Sequence, residues 1–173
     1  DVMSPSLALG GLSTILLNQN RQQNDLAFFE FGKSYLREEG KIIELQKMGI
    51  WLTGFETGIH WSNPKPLGYS IFNIKSLVEG LLSSIGIHHV ELNTGGAEEI
   101  WAYHLVWSKN QKNLVKAGLL NQTLLQTFQI KKPVFYAEFS IDVLQITQSQ
   151  QKVTYQDVSK YPSVSRDLAL ILD

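Results

Sequence analysis

Residues 26–54 read LAFFEFGKSYLREEGKIIELQKMGIWLTG, and this sequence sets the framework for the rest of the chain. Aromatic residues occupy positions 28, 29, 31 and 35, which indicates a strand that is buried on both faces at the centre of a sheet. Residues 36–41 are rich in charge and predict a turn. Residues 48–54 then predict a second long strand, antiparallel to the first. The stretch therefore predicts a β-hairpin within a mainly antiparallel sheet.

The remaining segments alternate helical and strand patterns around this hairpin. Residues 73–86 give the clearest helix: Asn73 is the expected N-cap, apolar residues recur at helical spacing, and Gly86 ends the helix. Asn121 and Asp142 are expected to start two short helices. Four further strands are predicted, at residues 88–92, 100–107, 114–118 and 134–139. The whole predicts an α+β fold, with about five to seven strands in a mixed, mainly antiparallel sheet flanked by helices.

The composition limits the class of protein. The chain has 173 residues, 43% hydrophobic and 18% charged, with a formal net charge of −1, which excludes a disordered chain. It has no Cys, so disulfide scaffolds, zinc fingers, iron–sulfur sites and Cys nucleophiles are excluded. Neither a membrane span nor a signal peptide is predicted, and we expect a cytoplasmic protein. Because the sequence begins at Asp1, we expect it to be a fragment.

The chain contains no sequence signature of a catalytic, cofactor-binding or metal site. Glycine-rich nucleotide loops, H-E-x-x-H and EF-hand patterns do not occur. His88 and His89 are adjacent and would face opposite sides of a strand, which is poor geometry for one metal. Trp101, Tyr103 and Trp107 form an aromatic stripe that either packs in the core or stacks on nucleic-acid bases, and strand spacing favours the core. We therefore assign no catalytic, cofactor-binding or metal-binding residue.

The first helix is predicted over residues 4–20, with Ser4 as its cap and Pro5 at its first helical position. Apolar residues at helical spacing form one stripe: Leu9, Leu12, Ile15 and Leu16. Gly10 and Gly11 weaken the helix but permit close approach of another element. The pattern leaves two interpretations, a core helix, which it favours, and an interface helix.

Four ordered blocks, which together span nearly the whole chain, resemble a known family. They are MSPSL, NQNRQQNDL and FFEFGKSY within residues 3–35, FNIKSLVEGLL at 72–82, LQTFQIKKPVFYAE at 125–138, and KYPSVSRDLAL at 160–170. The first three blocks resemble the catalytic-like module of bacterial phenylalanyl-tRNA synthetase β subunits. The last block is similar to the first strand of that family's C-terminal ferredoxin-like anticodon-binding domain.

The resemblance implies a class II aminoacyl-tRNA synthetase-like fold that is catalytically degenerate. It implies a catalytic-like domain at residues 1–147, a linker at 148–153 and a truncated start of the anticodon-binding domain at 154–173. Members of the family form α2β2 assemblies in which the α subunit activates phenylalanine with ATP and Mg²⁺. We therefore expect a non-catalytic interface module that supports attachment of phenylalanine to tRNAPhe and itself binds no cofactor.

Departures from the class II motifs imply that this chain alone is inactive. Lys33, Arg37 and Glu38 resemble a degenerate motif 2, whose arginine holds the α-phosphate of ATP. At the place of motif 3, residues 137–144 read AEFSIDVL and contain neither glycine nor arginine, so the triphosphate would lack a second clamp. Ser4 stands where the family usually has arginine.

The resemblance also favours the first helix as a subunit interface, because the motif 1 helix builds such contacts in class II folds. The interface residues would be Leu9, Gly10, Gly11, Leu12, Ile15 and Leu16. In the chain alone, Leu12 and Ile15 should then be partly exposed, and the uncovered stripe would allow self-association. The α subunit should cover both side chains.

Two other functions stay open on the sequence. An independent adenylate-forming enzyme would use Arg37 and Glu38, and ATP titration would detect it. A free-standing RNA-binding module would use residues 105–173, which contain 8 basic and 5 acidic side chains. Its binding would weaken steeply with salt.

Overall fold

The computed structural model describes residues 6–38, 40–56 and 65–149. Four helices and six strands follow one another within these ranges. In chain order they are α1 (Ala8–Gln19), β1 (Leu26–Glu38), β2 (Lys41–Thr53), α2 (Ile71–Ser84), β3 (Glu91–Gly95), β4 (Trp101–Lys109), β5 (Lys112–Leu120), α3 (Gln122–Thr127), β6 (Val134–Ser140) and α4 (Ile141–Ser149). None of these helices is both long and apolar enough to cross a membrane.

The six strands form one sheet in the order β1-β2-β6-β5-β4-β3, and every neighbouring pair is antiparallel. The predicted hairpin of β1 and β2 is confirmed, with Phe28 opposite Trp51 and Phe29 opposite Ile50. β6 lies between β2 and β5, although it follows them late in the sequence. The α+β, mainly antiparallel architecture is therefore confirmed.

The prediction that β1 lies at the centre of the sheet is wrong. β1 is an edge strand that pairs only with β2 among the described residues. Phe29 and Phe31 are 65% and 66% exposed, because none of the described helices extends over this edge. The central place belongs to β6, whose residues are buried almost throughout.

The sheet has a hydrophobic core on each face, and the helices divide between them. On one face, α2 and α4 contact β2, β5 and β6 and bury residues such as Ile74, Val78 and Leu144. On the other face, α1 packs with Leu12 and Ile15 fully buried, beside Leu125 of α3. We call these the α2 face and the α1 face. They separate the two surfaces on which a ligand or a partner could bind.

The helix ends follow the predicted chemistry with one change of residue. α2 begins at Ile71 with Ser70 as its N-cap, so the prediction that Asn73 is the cap is wrong. Asn73 instead lies in the first turn, where its Oδ1 accepts from the backbone N–H of Ser70 at 2.9 Å, half of a capping box. Gly86, at φ +78°, follows the end of α2 as expected. Asn121 caps α3 by accepting from the backbone N–H of Leu124 at 2.7 Å.

Other predicted boundaries shift by a few residues. α4 continues through Ser149, so Gln148 and Ser149 are helical and the linker predicted at 148–153 does not begin where expected. Thr147 is buried and its hydroxyl donates to the carbonyl of Val143 at 2.7 Å. The first helix begins at Ala8 with Leu7 as its N-cap, and Ser6 and Leu7 are not helical, so the start predicted at Pro5 is wrong. Ser4 and Pro5 themselves lie outside the described residues, as does the segment 154–173. The strand predicted at residues 88–92 instead occupies Glu91–Gly95, as β3.

Candidate functional site

A row of aromatic rings fills the middle of the α1 face. The Phe28 ring stacks on Trp51 with centroids 5.1 Å apart, and Trp51 contacts Tyr136 at 5.0 Å. Tyr136 in turn stacks on Trp101 at 5.6 Å. Trp51 and Tyr136 are fully buried. The row crosses the sheet from its β1 edge towards β4, so it occupies space that a ligand lying on this face would need.

Two glycines create the space for the Trp51 indole. A Cβ atom at Gly11 of α1 would lie within 2.5 Å of Trp51 Cζ2, and one at Gly49 of β2 would lie 2.8 Å from Cζ3. Real Cβ atoms do not approach this closely, so the indole is held between a helix and a strand that both lack side chains there. The close approach predicted for the paired glycines is made by Gly11. Gly10 has no atom within 4 Å of its Cβ position.

Glu138 of β6 is the centre of a polar network beside the rings. Its Oε2 accepts hydrogen bonds from Tyr136 OH at 2.7 Å and from Ser6 Oγ at 2.9 Å. Its Oε1 lies 3.4 Å from Lys47 Nζ, which also donates to Ser140 Oγ at 3.0 Å. Burial, and then the charge of Glu138, raise the pKa of the Tyr136 phenol well above its usual range, so Tyr136 stays a donor. The network therefore neutralises Lys47 and ties Ser6 to the sheet.

A second network occupies the same face near β4 and β5. Lys116 Nζ lies 2.7 Å from Glu98 Oε2 and 5.6 Å from the centroid of the Trp101 ring. His104 Nε2 is 3.3 Å from the same carboxylate oxygen. The hydrogen bond and charge of Lys116 hold the pKa of Glu98 below its usual range. Lys47 and Lys116 are thus both paired with carboxylates.

The remaining space between the two networks is small. A cavity of about 260 Å³ is lined by Ser6, Leu9, Trp101, Lys116 and Glu138, among others. Pockets for ligands of ordinary size are roughly 300–1,000 Å³. No group of three potential metal ligands occurs within the described ranges. The cavity therefore lies just below the usual range for a ligand, and its lining lysine is already held by Glu98.

The motif 2-like residues do not reach this cavity. Lys33 forms an ion pair with Glu44 at 2.6 Å, across the β1–β2 hairpin. Arg37 and Glu38 lie near the hairpin turn and are exposed. Since β6 pairs with β2 only as far as Lys47, this end of the hairpin projects beyond the rest of the sheet. Arg37 and Glu38 are adjacent on a strand and so face opposite sides, which separates the two groups that one phosphate site would need together.

The expected exposure of the α1 stripe is wrong for its central residues. Leu12 and Ile15 have no exposed surface, and Gly11 is buried against Trp51. The sheet of the same chain covers them, because the stripe predicted for a partner is the face that α1 needs for its own core. Leu9 is 39% exposed and Leu17 is 53% exposed, and Gly10 is open. Any partner of α1 would therefore contact this outer side.

Sequence reasoning missed the ring row and the Glu138 network. Both depend on side chains that alternate along β6, where Tyr136 and Glu138 share the α1 face. The available signal was the two-residue spacing of polar groups in a strand that otherwise reads as apolar. The spacing could identify the shared face, but not Lys47 and Ser6 as the partners across it. The three aromatic residues predicted as a stripe on β4 differ in burial. Trp101 and Trp107 are buried, as expected for a core, and Tyr103 is partly exposed.

The fold is that of a class II aminoacyl-tRNA synthetase. Two solved structures of pyrrolysyl-tRNA synthetase from Desulfitobacterium hafniense match 84% of this chain and 50% of their own, with TM-scores of 0.64 and 0.63. Their sequence identities are 15% and 14%, so this similarity concerns the fold alone. The antiparallel six-stranded sheet with helices on both faces is thus the predicted architecture.

The chain belongs to the phenylalanyl tRNA synthetase beta chain CLM domain family, whose model matches residues 1–141. The phenylalanine–tRNA ligase beta subunit of Bacteroides thetaiotaomicron is 34% identical over 182 residues, and that of Porphyromonas gingivalis is 31% identical over the same length. Each comparison covers 99% of this chain. The chain spans 22% of the length of these relatives, about a fifth.

Proposed function

We propose that this domain is a non-catalytic structural and subunit-interface module of a phenylalanine–tRNA ligase β subunit. The observation that carries the proposal is the state of the α1 face. Aromatic rings fill it, and Lys47 and Lys116 are neutralised by carboxylates. Activation of an amino acid by ATP requires cations that are free to meet the phosphates as negative charge develops. This face offers the rigidity of a scaffold, and neither lysine is available for that role.

Moving Lys47 to a phosphate would be especially unfavourable. Its side chain is 14% exposed and lies beside Glu138, so recruiting it to a phosphate would leave a partly buried carboxylate without its cation. Lys47 Nζ would also give up its hydrogen bond to Ser140 Oγ at 3.0 Å, and a hydrogen bond to a charged group contributes about 1.5–3 kcal/mol. Lys116 would similarly have to leave Glu98. Any triphosphate would thus replace existing ion pairs rather than satisfy unpaired lysines.

The proposed partner is the α subunit of the same ligase, in an α2β2 assembly that uses ATP and Mg²⁺ to attach phenylalanine to tRNAPhe. The α subunit would supply the catalytic groups, and tRNAPhe would meet this domain only within the assembly. On this chain, Leu9 and Leu17 form the exposed apolar part of α1 that such a subunit could cover. The independent adenylate-forming alternative has less support, because Arg37 and Glu38 lie apart from the cavity on the α1 face.

Pyrophosphate exchange tests the absence of catalysis. The 173-residue chain should show no phenylalanine-dependent exchange and no saturable heat of binding with ATP and Mg²⁺. An assembled α–β ligase measured in parallel provides the positive control. Exchange by the purified chain, abolished by Lys116→Met, would refute the proposal and place a working nucleotide site on the α1 face.

Co-purification with a bacterial α subunit tests the interface. Leu17→Asp should reduce recovery of the complex while leaving the far-ultraviolet circular dichroism unchanged, since the side chain is solvent-exposed. Leu92→Asp, on the edge strand β3 and also partly exposed, is the matched control and should have no effect. Equal recovery of both variants would exclude this part of α1 from the contact.

A further inference from the structure

The α2 face contains an apolar groove that the proposed function does not use. It lies between α2 and the β1–β2 hairpin and has a volume of about 500 Å³. Its lining residues are all apolar and include Phe29, Phe31, Met48, Ile50, Leu77 and Leu81. Exposed apolar surface of this kind is unusual in a chain that acts alone and marks a binding surface.

The groove ends at a polar site. A neighbouring cavity of about 350 Å³ shares Ala27 and Leu77 with the groove and adds Glu56 and Asn73 to the lining. Glu56 Oε2 accepts a hydrogen bond from Asn73 Nδ2 at 2.9 Å. Within the described residues, no lysine or arginine forms an ion pair with Glu56. The carboxylate is therefore placed to receive a cation from a molecule that fills the groove.

Beside the apolar groove and its polar end lies the free edge of β1. β1 has 13 residues and pairs on one side with β2, and no described strand pairs with its other side. A strand edge of this length presents a row of unpaired backbone donors and acceptors, which is a template for another strand. Phe29 and Phe31 stand on this strand, so the free edge and the apolar groove form one continuous surface.

We propose that this surface binds an extended segment of a partner protein, which adds as a strand to β1 and places alternate side chains into the groove. Residues two apart on an added strand lie on one face of the sheet, next to Ala27, Phe29 and Phe31. The segment therefore has apolar residues at three alternate positions. A lysine or arginine follows two positions further, at the end that meets Glu56. This mode takes its affinity from backbone pairing and its specificity from side-chain pockets.

A second copy of this chain fits the surface less well. The pairing that sets Phe29 opposite Phe31 of a second copy also sets the two Glu30 carboxylates opposite each other, and like charges at such positions are destabilising. In the same pairing Lys33 of the second copy falls opposite Ala27, where the groove takes an apolar side chain, and Tyr35 takes the position of the cation; Glu44 already holds Lys33 at 2.6 Å. A partner segment avoids both difficulties. The proposal is also independent of contacts through α1, which lies on the other face.

Fluorescence polarisation with labelled heptapeptides tests the proposal on the 173-residue chain. The probe has the sequence ISISISK, with isoleucine at alternate positions and lysine at its C-terminal end. We expect saturable binding with a Kd below ~1 mM, the weak end of specific recognition. Phe31→Ser should weaken binding by about tenfold or more, because it removes a large aromatic contact from the groove. Leu92→Ser, the matched change on the β3 edge, and the conservative Phe31→Leu should leave it within about twofold.

Two further comparisons separate strand addition from other modes. Peptides N-methylated at odd or at even positions should differ by about tenfold or more, because only one set of N–H groups faces β1. Glu56→Gln should weaken binding of the lysine-ended probe by about threefold or more and leave binding of a norleucine-ended probe unchanged. Absence of binding up to ~1 mM, equal effects of the two methylation patterns, or insensitivity to Phe31→Ser would overturn the proposal. So would a dimer of the chain in sedimentation velocity that Phe31→Ser dissociates, because the occupant would then be a second copy.

Discussion

Gly10 and Gly11 are neighbours on α1, and replacing each with Ala should change stability in opposite directions. A Cβ at Gly10 would have no atom within 4 Å, whereas one at Gly11 would lie 2.5 Å from Cζ2 of the fully buried Trp51. The indole cannot retreat freely, because the Gly49 backbone closes its other side. The substitution at Gly11 therefore forces α1 away from the sheet or distorts the ring row.

The magnitudes follow from two contributions. Ala in a helix interior is about 1 kcal/mol more favourable than Gly, and this gain applies to both substitutions. Overpacking a tight core typically costs about 1–3 kcal/mol, and it applies only at Gly11. Because the added Cβ would overlap a fully buried ring, the overpacking cost at Gly11 lies at the upper end of this range, about 3 kcal/mol. We expect Gly10→Ala to stabilise by about 0.5–1 kcal/mol and Gly11→Ala to destabilise by about 2 kcal/mol. The difference between the two variants isolates the steric cost, about 3 kcal/mol.

Urea unfolding, followed by tryptophan fluorescence and by circular dichroism, gives the free energy of unfolding of both variants, and thermal unfolding gives their Tm. In a chain of this size, 1 kcal/mol corresponds to a change in Tm of about 2–4 °C. Combining Gly11→Ala with Trp51→Phe should give less destabilisation than the sum of the single changes, because a smaller ring relieves the clash. If Gly11→Ala stabilised the chain as Gly10→Ala does, Gly11 and Trp51 could not be in contact.

Three further outcomes are expected in urea unfolding experiments. Leu82→Ala should lower the free energy of unfolding by about 2–5 kcal/mol, because Leu82 is buried in the core. Leu81→Ala should lower it clearly less, because Leu81 lines the open groove. Equal losses of stability in the two variants would mean that the groove is filled. Leu12→Asp should unfold the chain itself rather than only prevent assembly, since Leu12 is fully buried, and a folded variant in circular dichroism would contradict this. The hydrogen bond from Lys132 holds the pKa of Asp25 below its usual range, so this pair stabilises the fold at neutral pH and ceases to do so as pH falls through the folded-state pKa. Lys132→Met should therefore lower stability by less than about 1 kcal/mol at neutral pH and by nothing in strong acid, and an equal loss at both pH values would exclude the ion pair as its cause.

Local patterns in the sequence were sufficient for the elements and the family. The spacing of apolar residues in α2, the caps at Asn121 and Gly86, and the β1–β2 hairpin all depend on residues close together in the chain, and the structure confirms them. The four ordered blocks led to the family that the comparison establishes. Such features are readable because a cap or a periodic stripe acts through neighbours only a few residues away.

Only the tertiary structure decided which apolar residues are covered. The pattern of β1 predicts Phe29 to be buried, and it is exposed, whereas the family resemblance assigns Leu12 to a subunit interface, and it is fully buried in the core helix that the pattern alone favoured. The difference arises because β6, from much later in the chain, enters the sheet beside β2 and leaves β1 at the edge. The pairing of Lys47 with Glu138 has the same origin. Hydrophobic periodicity specifies which face of a strand is apolar, but coverage depends on strand order and helix placement, which are set by contacts between distant segments.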